Sequence, residues 1–324
     1  MKAVQAIVRE FGGPDAIEFE EVELDAPGPG EVLIEQRAIG INFIDVYHRT
    51  GLYPAPLPSR LGVEAAGIVA AVGPGVETLA TGDRVATFGP ARGAYASARI
   101  AAAAGMIRLP DDISDDLAAA VLLKGCTTEF LVERCARVEP GWDVLVHAAA
   151  GGVGQLLVQW LTAIGARVIA SVGSEAKAGI ARRVGAADVL VGMEGVAERV
   201  RDLTNGDGVR VSFDGVGKDS WEQSLAAVGQ RGLIVSFGNA SGPVENVALG
   251  TLAAHGSLFI TRPTLFDYYV TPEERQAGAD RLFAMIRAGK LTVDIGQRYP
   301  LRDAAQAHRD LEARRTTGSS LLLP

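Results

Sequence analysis

The rhythm of apolar and polar positions changes once along this chain, near Ser114. Before it, short apolar or alternating runs cover residues 3–8, 17–24, 32–39, 65–72, 84–88 and 95–100. The turn signals Pro27-Gly-Pro-Gly30 and Gly73-Pro-Gly75 break them. Many short strands with such punctuation predict a barrel-like β domain. After Ser114, strand-length apolar runs at 144–147, 168–171, 189–191, 209–213, 233–237 and 258–261 alternate with helical patterns. That alternation is what a doubly wound parallel α/β sheet requires. Beyond Pro263 the pattern predicts a helix over about 272–288, an extended Tyr299-Pro300, another helix and a terminal strand over 319–323. A six-run sheet does not need this tail. It is predicted to return to the β domain, which makes the α/β domain an insertion.

The first apolar run of the second region enters a glycine-rich turn, Ala149-Ala-Gly151-Gly-Val-Gly154, and a helical pattern over 155–164 follows. Strand, turn and helix in that order seat a dinucleotide pyrophosphate on the helix N-terminus. Against G-x-G-x-x-G the first glycine is alanine. Gly151 would allow close approach to the pyrophosphate, and Gly154 close helix–strand packing. The second strand ends in Ala170-Ser-Val-Gly-Ser174, with no carboxylate to hold an adenosine ribose and repel a 2′-phosphate. Gly173 and Ser174 offer N–H and hydroxyl groups, and Lys177 a cation one turn on, which favours NADPH. Glu175 should point away on the first helical turn. His147 is expected to be a partly buried imidazole bonded to backbone; His48, His255 and His308 lack ligand spacing and read as structural or surface.

Composition narrows the class. The chain has 324 residues, 48% apolar and 22% charged, enough for two globular domains. No run of 18 apolar residues occurs, so no membrane span is expected. The first ten residues lack a signal peptide's apolar core. A formal charge of −8 disfavours nucleic acid as partner. Cys126 and Cys135, on one expected helix, cannot form a disulfide framework or a structural zinc site, and the reducing cytoplasm is the expected compartment.

An ordered series of motifs then carries a resemblance over nearly the whole chain. It runs through Asn42-Phe-Ile-Asp45, Gly51-Leu-Tyr-Pro54, Gly62-Val-Glu-Ala-Ala-Gly67, Leu123-Lys-Gly-Cys-Thr127 and His147-Ala-Ala-Ala-Gly-Gly-Val-Gly154. It continues through Asp214-Gly-Val-Gly217, Val235-Ser-Phe-Gly-Asn239, Thr261-Arg-Pro263 and Gly318-Ser-Ser-Leu-Leu322. The chain resembles the zinc-independent, ζ-crystallin-like NADPH:quinone oxidoreductases of the medium-chain dehydrogenase/reductase superfamily. The resemblance implies a GroES-like substrate domain from residues 1–122 and 263–324, and a Rossmann domain over 123–262 that binds NADPH. It also implies a homodimer built through the Rossmann sheets.

Carried over residue by residue, the resemblance puts Asn42, Asp45, Tyr47 and Thr127 at the nicotinamide end. The turn Ala150, Gly151, Gly152 and Val153 would hold the pyrophosphate. Gly173, Ser174, Lys177 and Arg314 would hold the 2′-phosphate, and Phe237, Asn239, Thr261, Arg262 and Pro263 would cover the nicotinamide half. Departures are visible: Val191-Gly192 stands where the family often has Asn-Tyr beside the phosphate pocket, Cys126 where leucine is common, and Glu129 where an aromatic is common.

Zinc-dependent relatives place a histidine in the segment that here reads Gly62-Val63-Glu64, and a cysteine in the segment that here reads 42–45. No metal is therefore expected, and alcohol oxidation at neutral pH loses its Lewis acid. What remains is hydride donation to an acceptor that is already electrophilic, a quinone or an activated alkene. Tyr53, Tyr47 and Asn42 are the candidate catalytic donors to its carbonyl oxygen, Tyr53 in a stretch that resembles the proton-donor tyrosine segment of enoyl reductases. The alternatives are an enoyl-thioester or alkenal reductase on the same scaffold, and a non-catalytic NADPH-binding sensor or crystallin-like protein.

Overall fold

The structure is a computed structural model that describes residues 1–324. The chain divides into two compact units. One, β-rich, comprises Met1–Cys126, Tyr269–Phe283 and Val293–Pro324; the other comprises Thr127–Tyr268 and Ala284–Thr292. The residues 284–292 thus pack with the parallel sheet although they lie in the tail.

In the β-rich unit a seven-stranded sheet runs in the order Ile295–Pro300, Ser319–Leu323, Glu31–Ile41, Glu64–Val72, Arg84–Phe88 and Ile107–Arg108, with Ala98–Ala102 also paired to Glu31–Ile41. The tail supplies the first two of these strands: Leu321 and Leu322 pair antiparallel with Gly40 and Ile39. A smaller sheet joins Glu18–Glu23, Lys2–Val8 and Ser59–Arg60. Residues 95–97, expected as strand, contribute only the isolated Gln5–Ala96 bridge before the regular strand begins at Ala98. Tyr95 explains the interruption. Its ring is fully buried with Val8, Ile39, Leu61 and Leu322, and the chain bends to place it there. Gly62 has φ +86°, and an added Cβ would lie 2.3 Å from the Tyr95 ring, so only glycine fits beside it.

The other unit carries a six-stranded, all-parallel sheet in the order Asp188–Val191, Arg167–Val172, Asp143–His147, Val209–Asp214, Val228–Ser236, Phe259–Thr261. Its central strands are buried on both faces, which is why they read as continuous apolar runs rather than alternating ones. Leu145, Ile169, Val200, Leu225 and Ile234 form the core on one face. The helix after the first of these strands begins at Gly152, earlier than its apolar pattern suggested, because glycines supply its first turn. The helix Asp115–Glu129 passes into a π-helical segment, Phe130–Cys135, so the two cysteines do not share one α-helix. A short helix, Leu265–Tyr268, precedes the expected one, which spans Pro272–Arg287.

Candidate functional site

The glycine turn leaves the end of Asp143–His147 and opens directly into the helix Gly152–Ile164. At Gly154 an added Cβ would lie 2.3 Å from the Ala148 carbonyl oxygen and 2.7 Å from the Ala149 Cα, so helix and strand meet there only with glycine. Gly151 is the N-cap and exposed, and the first-turn N–H groups that follow it have no acceptor within the helix. An exposed, positively polarised helix start with no side chain in the way fits a pyrophosphate.

The next strand ends beside this turn, His147 pairing with Ser171. Gly173 and Ser174 are exposed, and an added Cβ at Gly173 would meet nothing within 4 Å. Ser174 caps the helix Glu175–Arg183, its Oγ accepting the Lys177 N–H at 3.4 Å. Lys177 is therefore on the first turn, half-buried, with Glu175 exposed. Gly192, at φ +83°, leaves the neighbouring position open. Arg199 spans that loop, donating to the carbonyls of Val191 at 3.2 Å, Glu194 at 3.3 Å and Gly195 at 3.2 Å. Its place over the loop was not readable from sequence, because it depends on how the loop after Val191 folds back.

On the other side of the first strand, Asp214 closes a fully buried polar cluster. Its carboxylate accepts from Val216 N–H, Gly217 N–H, Ser220 Oγ and Ser224 Oγ. Ser224 Oγ lies 3.1 Å from His147 Nε2. His147 is thus completely buried and held by a side chain, not by backbone as expected, and its burial lowers its pKa. The cluster fixes the loop Asp214–Gly217 against Phe237–Asn239: the Phe237 ring lies where a Gly215 side chain would be, 2.8 Å from its Cβ position. With its amide oriented to match its partners, Asn239 accepts from Arg262 Nη2 at 3.1 Å. The structure so brings Phe237, Asn239 and the Thr261–Pro263 segment of the outer strand to one end of the sheet. Thr127, half-buried, is the first residue of this unit.

In the β-rich unit, Asn42, Asp45 and Tyr47 lie on or beside the helix Phe43–Thr50. Asn42 is its N-cap, and Asp45 Oδ2 accepts the Asn42 N–H at 2.9 Å; Gly51, at φ +80°, ends it. The chain then turns so that the Tyr53 ring sits 5.2 Å from Tyr47 and 6.2 Å from His48. Arg314 is exposed just after the last helix, Ala304–Glu312.

Behind these residues lie groups that sequence reasoning left without a role. Asn42 Nδ2 donates to Glu64 Oε2 at 2.8 Å, and Glu64 Oε1 accepts the Leu123 N–H at 2.7 Å. Lys124 Nζ stands 3.7 Å from the same carboxylate. Glu64 is wholly buried, and burial raises its pKa against the pull of Lys124. Each is a lone charge in an apolar stretch, but nothing local in the sequence shows that the two meet. Asp45 is also wholly buried; burial pushes its carboxyl up to about 7, against the hydrogen bonds from Asn42 and Tyr95. Tyr95 Oη is 3.1 Å from Asp45 Oδ2 and 3.1 Å from His308 Nε2, and His308 Nδ1 is 3.2 Å from Arg49 Nη1. Arg49 in turn pairs with Glu312 at 2.7 Å. His308 is therefore a core residue, held neutral with a pKa near 3 by burial and the Arg49 charge. No three His, Cys, Asp or Glu side chains come together in a way that could hold a metal ion.

A parallel sheet with a glycine turn, joined in one chain to a β-rich unit built from both chain ends, defines the two-unit architecture of the medium-chain dehydrogenases and reductases. Residues 28–111 match the family described as alcohol dehydrogenase GroES-like domain, and residues 152–281 match the family described as zinc-binding dehydrogenase. The chain is 50% identical over 316 residues to a quinone oxidoreductase of Pseudomonas aeruginosa, covering 97% of each, and 42% identical over 328 residues to a 2-haloacrylate reductase of a Burkholderia species, covering 98% of each. The crystal structure of Escherichia coli quinone oxidoreductase complexed with NADPH superimposes with a TM-score of 0.96 at 46% identity, covering 99% of this chain and all of that one. This chain belongs to the quinone oxidoreductase family of the medium-chain superfamily.

Proposed function

We propose that this protein is an NADPH-dependent quinone reductase. The observation that carries this reading is the 50% identity with a quinone oxidoreductase over 97% of each chain, on a fold whose glycine turn fits a pyrophosphate. NADPH, when bound, supplies the hydride. The chain's part is to bind, orient and stabilise charge. The N–H groups of Gly151, Gly152 and Val153, with Ala150 beside them, hold the pyrophosphate. Gly173, Ser174 and Lys177 take the 2′-phosphate, with Arg314 from the tail. Asn42, Asp45, Tyr47 and Thr127 flank the nicotinamide, and Phe237, Asn239, Thr261, Arg262 and Pro263 cover it.

Tyr53 and Tyr47 donate hydrogen bonds to the acceptor oxygen, where negative charge develops on reduction. Glu64 fixes the Asn42 amide and leaves its second N–H for the same oxygen. Zinc has no part in this proposal, since Val63 and Asn42 supply no metal ligand. The edge strand Phe259–Thr261, with Phe259 63% exposed, is the surface for a second copy. No helix is long and apolar enough to cross a membrane. Cys126 and Cys135 form no disulfide, which suits the reducing cytoplasm.

The test is NADPH and NADH consumption by purified protein with 1,4-benzoquinone and 9,10-phenanthrenequinone, with and without EDTA. Quinone turnover that prefers NADPH and ignores the chelator is expected; no turnover of any quinone overturns the reading. The 42% identity with a 2-haloacrylate reductase favours one second reading, reduction of an activated carbon–carbon double bond. Turnover of 2-chloroacrylate or crotonyl-CoA in place of quinones would establish it.

A further inference from the structure

Glu64 opens the strand Glu64–Val72, is wholly buried, and has three donors around its carboxylate. Oε1 accepts the Leu123 N–H at 2.7 Å. Oε2 accepts from Asn42 Nδ2 at 2.8 Å and stands 3.7 Å from Lys124 Nζ. Lys124 is itself only 6% exposed. Strand register sets Gly40 opposite Glu64, and an added Cβ at Gly40 would lie 2.2 Å from Oε2 and 2.3 Å from the Ala119 carbonyl oxygen. Bare backbone at Gly40 is what leaves room for this carboxylate.

Two of these three donors cannot turn round. A main-chain N–H and an ammonium group only donate, so both oxygens of Glu64 are held as acceptors. The Asn42 amide is the one group of the three that could present either side. Against a carboxylate fixed in this way it turns its Nδ2 inward, and one N–H of that nitrogen is left over. Asn42 is held in place as well: it is 5% exposed, and its main-chain N–H donates to Asp45 Oδ2 at 2.9 Å. A buried ion pair is a poor source of stability, because desolvation offsets its attraction. Alone, the Glu64 charge would also oppose an anion forming in front of Asn42. Lys124, beside the same oxygen, offsets that charge.

We propose that Glu64 and Lys124 are positioning residues that set the polarity of the acceptor site. Glu64 locks Asn42 with an N–H, and not its carbonyl, toward the acceptor; Lys124 keeps that carboxylate ionised and cancels its field. The reductase reading above, on which this rests, needs only that Asn42 donate; the buried pair behind it decides that it does. The substrate class narrows accordingly. Acceptors whose oxygen gains negative charge on reduction, quinones and enones, are favoured over neutral groups that offer a proton of their own.

The direct test is the ionisation of 4-nitrophenol bound in the presence of NADP+, followed by the absorbance of its phenolate. Bound to the wild type, the phenol should ionise at lower pH than in free solution. In Glu64→Gln the Leu123 N–H still needs an acceptor, so the new amide turns its N–H groups toward Asn42. Asn42 then reverses, and an oxygen lone pair stands where its free N–H was. Phenolate formation should become about tenfold less favourable, the loss of one hydrogen bond to a charged oxygen. With 1,4-naphthoquinone, kcat should fall by a similar factor while KM changes less than about threefold. A merely structural loss would weaken phenol and phenolate alike and leave the ionisation constant unmoved. That result, or no binding of the phenol to the wild type, overturns the proposal.

Failure of the wild type to reduce any quinone would sink the reductase reading alone, and the phenol titration would still decide this one. Glu64→Gln leaves the Lys124 charge buried without its partner, so Glu64→Gln/Lys124→Met serves as the control on folding. It removes both charges together, and its Tm should stay close to that of the wild type. Its bound phenol should nevertheless remain as hard to ionise as in Glu64→Gln. Wild-type ionisation in this variant would show that the pair does not set the polarity, and would overturn the proposal. Lys124→Met alone should also disfavour the phenolate, because Glu64 either keeps its charge against the anion or takes up a proton and releases Asn42. An unchanged titration there would overturn the part given to Lys124.

Discussion

At the scale of single residues, the discrimination between NADPH and NADH rests on few atoms. Ser174 Oγ accepts the Lys177 N–H and keeps its own O–H to donate, beside the exposed Gly173 and the Lys177 cation on the first turn. Lys177→Ala should raise the NADPH dissociation constant more than tenfold, above ~1.4 kcal/mol, and leave NADH almost unchanged. Fluorescence titration with both cofactors checks this. Equal loss for both would mean that Lys177 supports the helix and not the phosphate. The expectation for these residues could be formed from sequence because strand end, cap and cation are local. No such expectation could be formed for Glu64 and Lys124, 60 positions apart. Their ion pair exists only because the strand Glu64–Val72 and the helix Asp115–Glu129 pack together, and no local spacing encodes that.

At the scale of elements, the helix Phe43–Thr50 is held by a polar chain reaching the helix Ala304–Glu312 near the C-terminus. Two groups in that chain titrate with opposite sign. Asp45 has a native pKa of about 7 against an ordinary 3.8. Between about pH 4 and 7 the unfolded chain has already lost a proton that the native state keeps, so this group's stabilisation falls as pH rises through that window. His308, depressed to about 3, does the reverse and loses stabilisation as pH falls below its ordinary 6.5. Asp45→Asn should remove the first effect: its stability relative to the wild type should grow from pH 4 to pH 7 by up to ~4 kcal/mol and then level off. Urea unfolding across that range measures it, and a difference independent of pH would show that Asp45 is ionised throughout. Neither sign was available from sequence, because both come from burial by elements distant along the chain.

At the scale of the molecule, the parallel sheet ends in an edge strand, Phe259–Thr261, that is short and bears exposed apolar groups. Phe259 is 63% exposed and Ile260 36%, with Leu249 at 82% on the nearby helix. Exposed apolar side chains on a strand with one open edge suit the second copy proposed above, and sheet-to-sheet pairing would cover them. The proposed dimer should therefore be lost in Phe259→Asp with Ile260→Lys, which should sediment as a monomer in analytical ultracentrifugation. A dimer that persists in this variant would place the interface elsewhere.

Sequence alone was enough for the two kinds of sheet, the glycine turn and its helix, and the likeness to quinone oxidoreductases. Each is written in periodicity or in residues a few positions apart, where backbone geometry leaves one solution. Tertiary structure alone decided that Tyr95 breaks a strand to fill a core, that His147 answers to Ser224 and Asp214, and that His308 is buried against Arg49. These depend on which distant segments exclude water from one another, and burial, not residue type, sets the charge and partner of such groups.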